Sequence, residues 1–308
     1  MLIQNQNRKL VNSPCLHHMK KFFPALLVSY LFYSINLLAQ VVSDSVQVDG
    51  NYRTFHFTKP SGNKADGSLV FVLHGSGGNG KDMMIRAVRL AEVSATENVL
   101  LVYPNGYKKY WNECRKVASS LANQENIDES TFFNSMIQYF KSKYAISEQK
   151  VFAVGTSGGG HMCYKLAMTM PGKFRAVTAL IANLPDVDNF DCTEAKMPIP
   201  IMIVNGTADP LNPYNGGMMQ SGTFIMGNVR SSDRTFQYWA SLAGYTGEPT
   251  KELVVDKDPA DGKTIERYTY KQKDKPEVVL LKVIDGKHDY PNDIDVHVEA
   301  WEFFKRQL

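Results

Sequence analysis

Short uninterrupted apolar runs alternate along this chain with segments of helical spacing, and that alternation predicts an α/β architecture. Residues 68–73 (SLVFVL) read as a strand buried on both faces, ending abruptly in His74-Gly75-Ser76-Gly77-Gly78. The pattern recurs at 99–103 (VLLVY), 151–154 (VFAV), 199–204 (IPIMIV) and 278–284 (VVLLKVI). Between these runs, helical periodicity covers 83–95, 130–144, 158–170, 234–243 and 296–304. Strand and helix in succession predict a mostly parallel central sheet with helices on both faces, whose ligands sit at the carboxyl ends of the strands. The alternation of Val46, Val48, Tyr52, Phe55 and Phe57 with polar residues predicts an antiparallel pair at one sheet edge. Residues 251–273 alternate weakly around Asp258-Pro259-Ala260-Asp261-Gly262 and predict a peripheral hairpin. From 209 to 232 the sequence is rich in Gly, Asn, Pro and Met without a clear period, which predicts a short insertion over the site.

Composition narrows the class. The 308 residues are 44% hydrophobic and 21% charged, which places the chain among globular proteins rather than disordered ones. Residues 1–40 hold Arg8, Lys9, Lys20 and Lys21 and no acid, so setting them aside moves the formal net charge from +3 to −1. A nucleic-acid partner loses its electrostatic support. That segment reads as a signal peptide, with Met19 as an alternative start: Lys20 and Lys21 precede an uncharged apolar run at 22–38, and Ala39 stands where a peptidase would cut. A retained membrane anchor is the alternative, which Pro24, Ser34 and Asn36 weaken. Residues 41–308 are then expected to form one catalytic domain, secreted or periplasmic, with no stable membrane span. In an oxidising compartment Cys114 and Cys192, both in loop-like sequence, are the expected disulfide, and Cys163 the free buried thiol.

Gly155-Thr156-Ser157-Gly158-Gly159 matches G-x-S-x-G, follows an apolar strand and opens a helix, which is the context that makes Ser157 a nucleophile. A serine needs a base for its proton and an acid to hold that base, in the chain order serine, acid, histidine. Asp209 and His288 follow strands 199–204 and 278–284 at the same sheet edge and meet that order. His161, four residues past Ser157 on one helix, is expected to pack and hydrogen-bond locally, and His56 and His297 to be structural. Asp186, Asp188 and Asp191 follow an earlier strand and rank below Asp209 as the acid. The oxyanion donors are expected to be the N–H groups of Gly158 and Ser76. A plain turn is the alternative at His74-Gly75. Trp111 and Asn112 are candidates for substrate binding, with a loop aromatic closing the core as the alternative. Asp128 and Glu129 read as helix N-terminal acids rather than a glycosidase pair. No metal-ligand spacing, dinucleotide fingerprint or phosphate loop appears, so no cofactor and no metal are expected.

The runs LHGSGGNG (73–80), VYPNG (102–106), Trp111-Asn112, GTSGGG (155–160), NGTADPLNPYNGG (205–217) and DGKH (285–288) resemble the polyhydroxybutyrate depolymerase and feruloyl esterase group, secreted esterases close to carbohydrate esterase family 1. The resemblance runs from about Leu69 to the C-terminus. It implies an α/β-hydrolase fold, a triad of Ser157, Asp209 and His288, and an oxyanion hole at Ser76 and Gly158. The implied function is hydrolysis of carboxylic esters through an acyl-enzyme, on a feruloyl or acetyl ester of plant polysaccharide or a hydroxyalkanoate ester. A serine peptidase and a non-catalytic binding protein on the same scaffold are the alternatives. Where the group often carries GGGH followed by tryptophan and proline, this chain has Asp285-Gly286-Lys287-His288 and then Asp289-Tyr290-Pro291, which puts the wall beside the histidine in question.

Overall fold

The computed structural model describes residues 41–58 and 65–308; the expected signal peptide lies outside the described residues. The chain opens with the antiparallel pair β1 (Val41–Val48) and β2 (Asn51–Thr58). Strand β3 (Gly67–Leu73) follows, buried along its whole length. Its period of two sends Leu69, Phe71 and Leu73 to one apolar layer and Val70 and Val72 to the other, which is why the run carries no polar position.

The single helix expected at 83–95 is instead two, α1 (Gly80–Arg86) and α2 (Val88–Ser94), broken at Ala87. Ala87 leaves the helical region at φ −101°, ψ 28° and is fully buried, so each short helix packs its own apolar residue, Met83 and Leu90, into the same layer. Strand β4 (Val99–Pro104), the short helix α3 (Leu121–Gln124) and helix α4 (Glu129–Tyr144) come next. The Asp128 side chain caps α4 by accepting from the Thr131 N–H. Glu129, expected as a helix N-terminal acid, stands in the first turn of α4, where it is buried and paired with Arg53 at 2.9 Å. It also accepts the Asn112 N–H, so the pair holds the loop before α4 as well. Burial pushes the Glu129 carboxyl up, against the pull of the Arg53 guanidinium.

Strand β5 (Ile146–Thr156) leads into α5 (Gly158–Thr169), then β6 (Ala176–Leu180) and β7 (Ile201–Gly206). The insertion after β7 contains a hairpin, β8 (Gly217–Ser221) and β9 (Phe224–Val229). These two strands form a sheet of their own, joined to the loop after β6 by the Pro185–Val229 bridge, and a register shift falls between Met219 and Gln220, so no regular alternation marks them in the sequence. Helix α6 (Ser232–Leu242), strands β10 (Thr250–Leu253), β11 (Thr264–Tyr270) and β12 (Val278–Ile284), and helix α7 (Val296–Lys305) complete the chain.

The ten-stranded sheet has the order β1-β2-β4-β3-β5-β6-β7-β12-β11-β10. The six strands from β4 to β12 in that order are parallel, and antiparallel pairs close both edges. One layer takes Phe132 and Phe133 of α4, Met162 of α5 and Trp239 of α6; the other takes Leu90 of α2 and Trp301 and Phe304 of α7. This is the α/β-hydrolase arrangement, and it brings the carboxyl ends of β3, β5, β7 and β12 to one rim.

Cys114 and Cys192 form a disulfide, and Cys163 is buried and free. The bond ties the loop after β4 to the loop after β6, where Asp191 N–H also reaches the Cys114 carbonyl and Lys116 N–H the Asn189 carbonyl. A sequence separation of 78 makes the closed loop long. The chain-entropy account then gives about 4 kcal/mol, and Cys114→Ser should lower the denaturant-unfolding free energy by about 2–5 kcal/mol.

Buried histidines set the acid response. Burial lowers the His297 pKa to about 4, and Tyr290 packs edge-on against its ring. A histidine titrating lower in the folded state than its unfolded value of about 6.5 contributes stability that is complete above pH 6.5 and is lost as pH falls toward 4. The loss for this group is about 3 kcal/mol. Denaturation curves between pH 7 and 4 should show it, and His297→Phe should flatten the dependence partly, because His161 is held well below its ordinary value and acts in the same direction.

Candidate active site

Strand β5 ends in a turn where Gly155, Gly159 and Gly160 leave no room for a Cβ. Ser157 sits at φ 53°, ψ −115°, with its N–H on the Leu180 carbonyl at 2.8 Å and its carbonyl accepting the His161 N–H at 2.9 Å. A non-glycine residue in that region costs about 1–3 kcal/mol and persists only where the surroundings hold it. The neighbours show how. A Cβ on Gly155 would run into the Gly159 carbonyl, and one on Gly159 would lie 2.6 Å from the Leu73 carbonyl oxygen. One on Gly160 would stand 2.7 Å from the Ala182 Cβ. The elbow is backbone packed on backbone.

The acid and the base meet because β7 and β12 are adjacent parallel strands. Their two exit turns touch: a Cβ on Gly206 would drive into the Gly286 carbonyl, and the Ala208 N–H donates to that carbonyl at 2.9 Å. The Asp285 N–H in turn donates to Thr207 Oγ1 at 2.8 Å. His288 Nε2 then lies 3.0 Å from Ser157 Oγ, and His288 Nδ1 lies 2.7 Å from Asp209 Oδ2. The other oxygen of Asp209 accepts the N–H groups of Leu211 and Asn212, both at 2.8 Å. That carboxylate is buried and acceptor-only, so it fixes the tautomer with the proton on Nδ1 and leaves Nε2 free to accept from the serine.

The loop after β3 stands against the elbow. A Cβ on Gly158 would meet Ser76 Oγ at 2.5 Å and the Ser76 nitrogen at 3.0 Å, so the two expected oxyanion donors are neighbours. Among the described residues neither of those N–H groups has a hydrogen-bond acceptor. His74 organises this loop. Its Nδ1 donates to the Gly75 carbonyl at 2.7 Å, its Nε2 accepts the Gly106 N–H at 2.9 Å, and its own carbonyl accepts from Trp111 Nε1. The plain-turn alternative for His74-Gly75 is thereby replaced by a buried brace, and burial holds the ring below its ordinary pKa and so neutral.

The two substrate-binding candidates part company. Trp111 packs against the His74 ring at 4.8 Å and lines a cleft of about 230 Å³ together with Ser76 and Gly158. Asn112 faces inward, its amide donating to Asn126 Oδ1 and the Ile127 carbonyl, and so braces the loop rather than presenting a group beside Ser157.

Among the rival histidines, His56 bonds Ser43 and lies beside Asn105 in the edge strands. His161 is buried as expected, but neither ring nitrogen makes a hydrogen bond, which corrects the expectation of a local partner. Burial, with Arg115 and His288 nearby, holds its ring well below its ordinary pKa, and the Asn183 backbone pulls the other way. Asp186 caps a short 3₁₀ turn and pairs with Arg234, and Asp188 accepts from Asn228. Two residues after His288, the Tyr290 hydroxyl bonds Thr156 Oγ1 and so ties the histidine loop to the elbow.

A buried network that sequence reasoning passed over supports the acid. Asn205 Oδ1 accepts the Ala182 N–H, and its amide donates to Asn183 Oδ1 and Ser232 Oγ. Asn183 N–H donates to Asn212 Oδ1, so the loops after β6 and β7 are one unit. The signal in the sequence was a polar residue closing an otherwise apolar strand, Asn205 after 199–204. Among the described residues no cluster of three or more His, Cys, Asp and Glu side chains is arranged to hold a metal ion.

Fold and site geometry together define an α/β-hydrolase. The chain belongs to the phospholipase/carboxylesterase family, whose model matches residues 56–239, more than half of its length. It is 29% identical over 164 residues to feruloyl esterase C of Emericella nidulans, a match covering 52% of this chain and 55% of that protein. It is also 29% identical over 124 residues to feruloyl esterase B of Piromyces equi, covering 40% of this chain and 23% of the relative. The chain thus spans about half the length, or less, of these relatives. Among solved structures, acetyl xylan esterase from Aspergillus awamori superposes with a TM-score of 0.60 at 15% identity, covering 86% of this chain and 99% of that one. At that identity the likeness is one of fold.

The glycine contacts make a direct test. Gly155→Ala places a methyl group against backbone that cannot move aside, so the variant should lose at least about 1–3 kcal/mol of stability by thermal or denaturant unfolding. Gly158→Ala meets the end of a serine side chain first and should unfold nearly as wild type while losing turnover.

Proposed function

We propose that this protein is a serine hydrolase of carboxylic esters that works through an acyl-enzyme. The observation that carries the reading is His288, whose two ring nitrogens lie 3.0 Å from the Ser157 hydroxyl and 2.7 Å from the Asp209 carboxylate. In this reading Ser157 Oγ attacks the ester carbonyl while His288 Nε2 takes its proton, and Asp209 stabilises the imidazolium that forms. The N–H groups of Ser76 and Gly158 receive the charge that develops on the carbonyl oxygen, each worth about two to three orders of magnitude in turnover. His288 then protonates the leaving alcohol, and a water molecule activated by the same imidazole releases the acid.

Similarity to proteins named as feruloyl esterases supports an ester of plant polysaccharide as substrate, a feruloyl or acetyl group, with a hydroxyalkanoate ester as the further class. The disulfide and the basic, then apolar, residues 20–38 support export, to the periplasm or outside the cell, after removal of residues 1–40. Residues 41–308 then act as one catalytic domain.

Ser157→Ala should abolish hydrolysis of 4-nitrophenyl acetate and labelling by a fluorophosphonate probe while leaving the melting temperature nearly unchanged. Turnover near wild type in that variant, or no labelling of well-folded wild-type protein, refutes the reading.

A further inference from the structure

An ester leaves its acyl group and its alcohol in different directions from the attacking serine, and the site separates the two. His288 must hand its proton to the leaving oxygen, so the alcohol lies on the imidazole side. The carbonyl oxygen points toward the Ser76 and Gly158 N–H groups. The acyl group is left with the space that borders those two residues away from the imidazole.

The 230 Å³ cleft meets that description. Its lining includes Ser76 and Gly158, Tyr110 and Trp111, and Phe224 and Met226 of β9; Ser157 and His288 lie outside that lining. Sites for drug-sized ligands occupy about 300–1,000 Å³, so this cleft admits one acyl group rather than a chain of them. Glu113 and Arg115 contribute a buried polar floor, but they are paired with each other at 2.7 Å, so a charged acyl group finds no unpaired partner there.

We propose that this cleft is the acyl pocket of the esterase inferred above, and that Phe224 is its specificity-determining residue, selecting a flat apolar acyl group over acetyl. Phe224 is 53% exposed at the head of β9, so its ring has a face to offer. The strand that carries it is nonetheless held. Asn189 Nδ2 donates to the carbonyls of Met226 and Asn228, and Gly227, at φ +80°, lies so close to the Asn189 side chain that no Cβ fits. An exposed aromatic ring in the same cleft as Ser76 and Gly158 gains contact from a planar acyl group and none from a methyl.

The test uses 4-nitrophenyl cinnamate and 4-nitrophenyl acetate, which share a leaving group, so any change in their kcat/KM ratio reports the acyl side. In Phe224→Ala the cinnamate-to-acetate ratio should fall about tenfold, the effect of losing contact in an apolar pocket, whereas Phe224→Tyr should keep it. A ratio within about twofold of wild type in Phe224→Ala overturns the assignment, as does an equal fall in Phe224→Tyr or a wild type active on acetate alone. A wild type inactive on both esters overturns the esterase reading itself, and this inference with it; activity on both with an unmoved ratio overturns the pocket alone.

Discussion

The geometry around Ser157 depends on keeping an L-amino acid at φ 53°, ψ −115° between a strand and a helix. That conformation is held from both sides by main chain, the Leu180 carbonyl on the incoming N–H and the helix on the outgoing carbonyl. It tolerates no crowding. Gly155, Gly159 and Gly160 each lie closer to another chain segment than a Cβ would permit, and Gly158 abuts the loop that carries the Ser76 N–H. The run of glycines therefore sets two distances at once, the height of the hydroxyl above the sheet and the separation of the two N–H groups.

A second contact of the same kind sets the other half of the site. Strands β7 and β12 run side by side in parallel, and their exit turns press Gly206 against Gly286. Because these turns touch, the carboxylate of one reaches the imidazole of the other without a long loop. Asn205, Asn183, Asn212 and Ser232 then connect the acid turn to the loop after β6, which also receives the nucleophile's N–H through Leu180. Buried polar groups of this density are costly unless partnered; here the Asn212 amide nitrogen alone of the four side chains lacks a partner, and the remaining bonds link one strand end to the next.

The segment that follows the acid does more than return the chain to the sheet. Its hairpin comes down on the loop that holds Trp111 and Arg115, with Arg115 Nη1 approaching the Met219 sulfur and Asn189 joining β9 to the disulfide-bonded loop. The cleft beside the oxyanion donors is thus walled by elements that the sheet does not position, so its shape is a property of the insertion and the disulfide together. The match to the phospholipase/carboxylesterase family, over residues 56–239, takes in the elbow and the hairpin and stops before β10, β11 and β12.

What the sequence by itself determined follows from short-range physics. Short, nearly continuous apolar runs bounded by turn residues read as strands covered on both faces, and residues 278–284, interrupted only by Lys282, form β12 over the same span. A serine between glycines at a strand-to-helix junction is a local statement, and chain order was enough to choose Asp209 and His288 as its companions. Only the tertiary structure decided the rest, because the deciding contacts join residues distant in the chain. Helix 83–95 broke at Ala87 to fit two packing positions, and Glu129 went to Arg53 and Asn112 rather than to solvent. His74 became a brace through partners at Gly106 and Trp111. The hairpin could not be read because its strands lie outside the main sheet and the bulge breaks their alternation. A side chain's role is legible in sequence when its partners are its neighbours or follow from strand order; otherwise it waits on which surfaces the fold brings together.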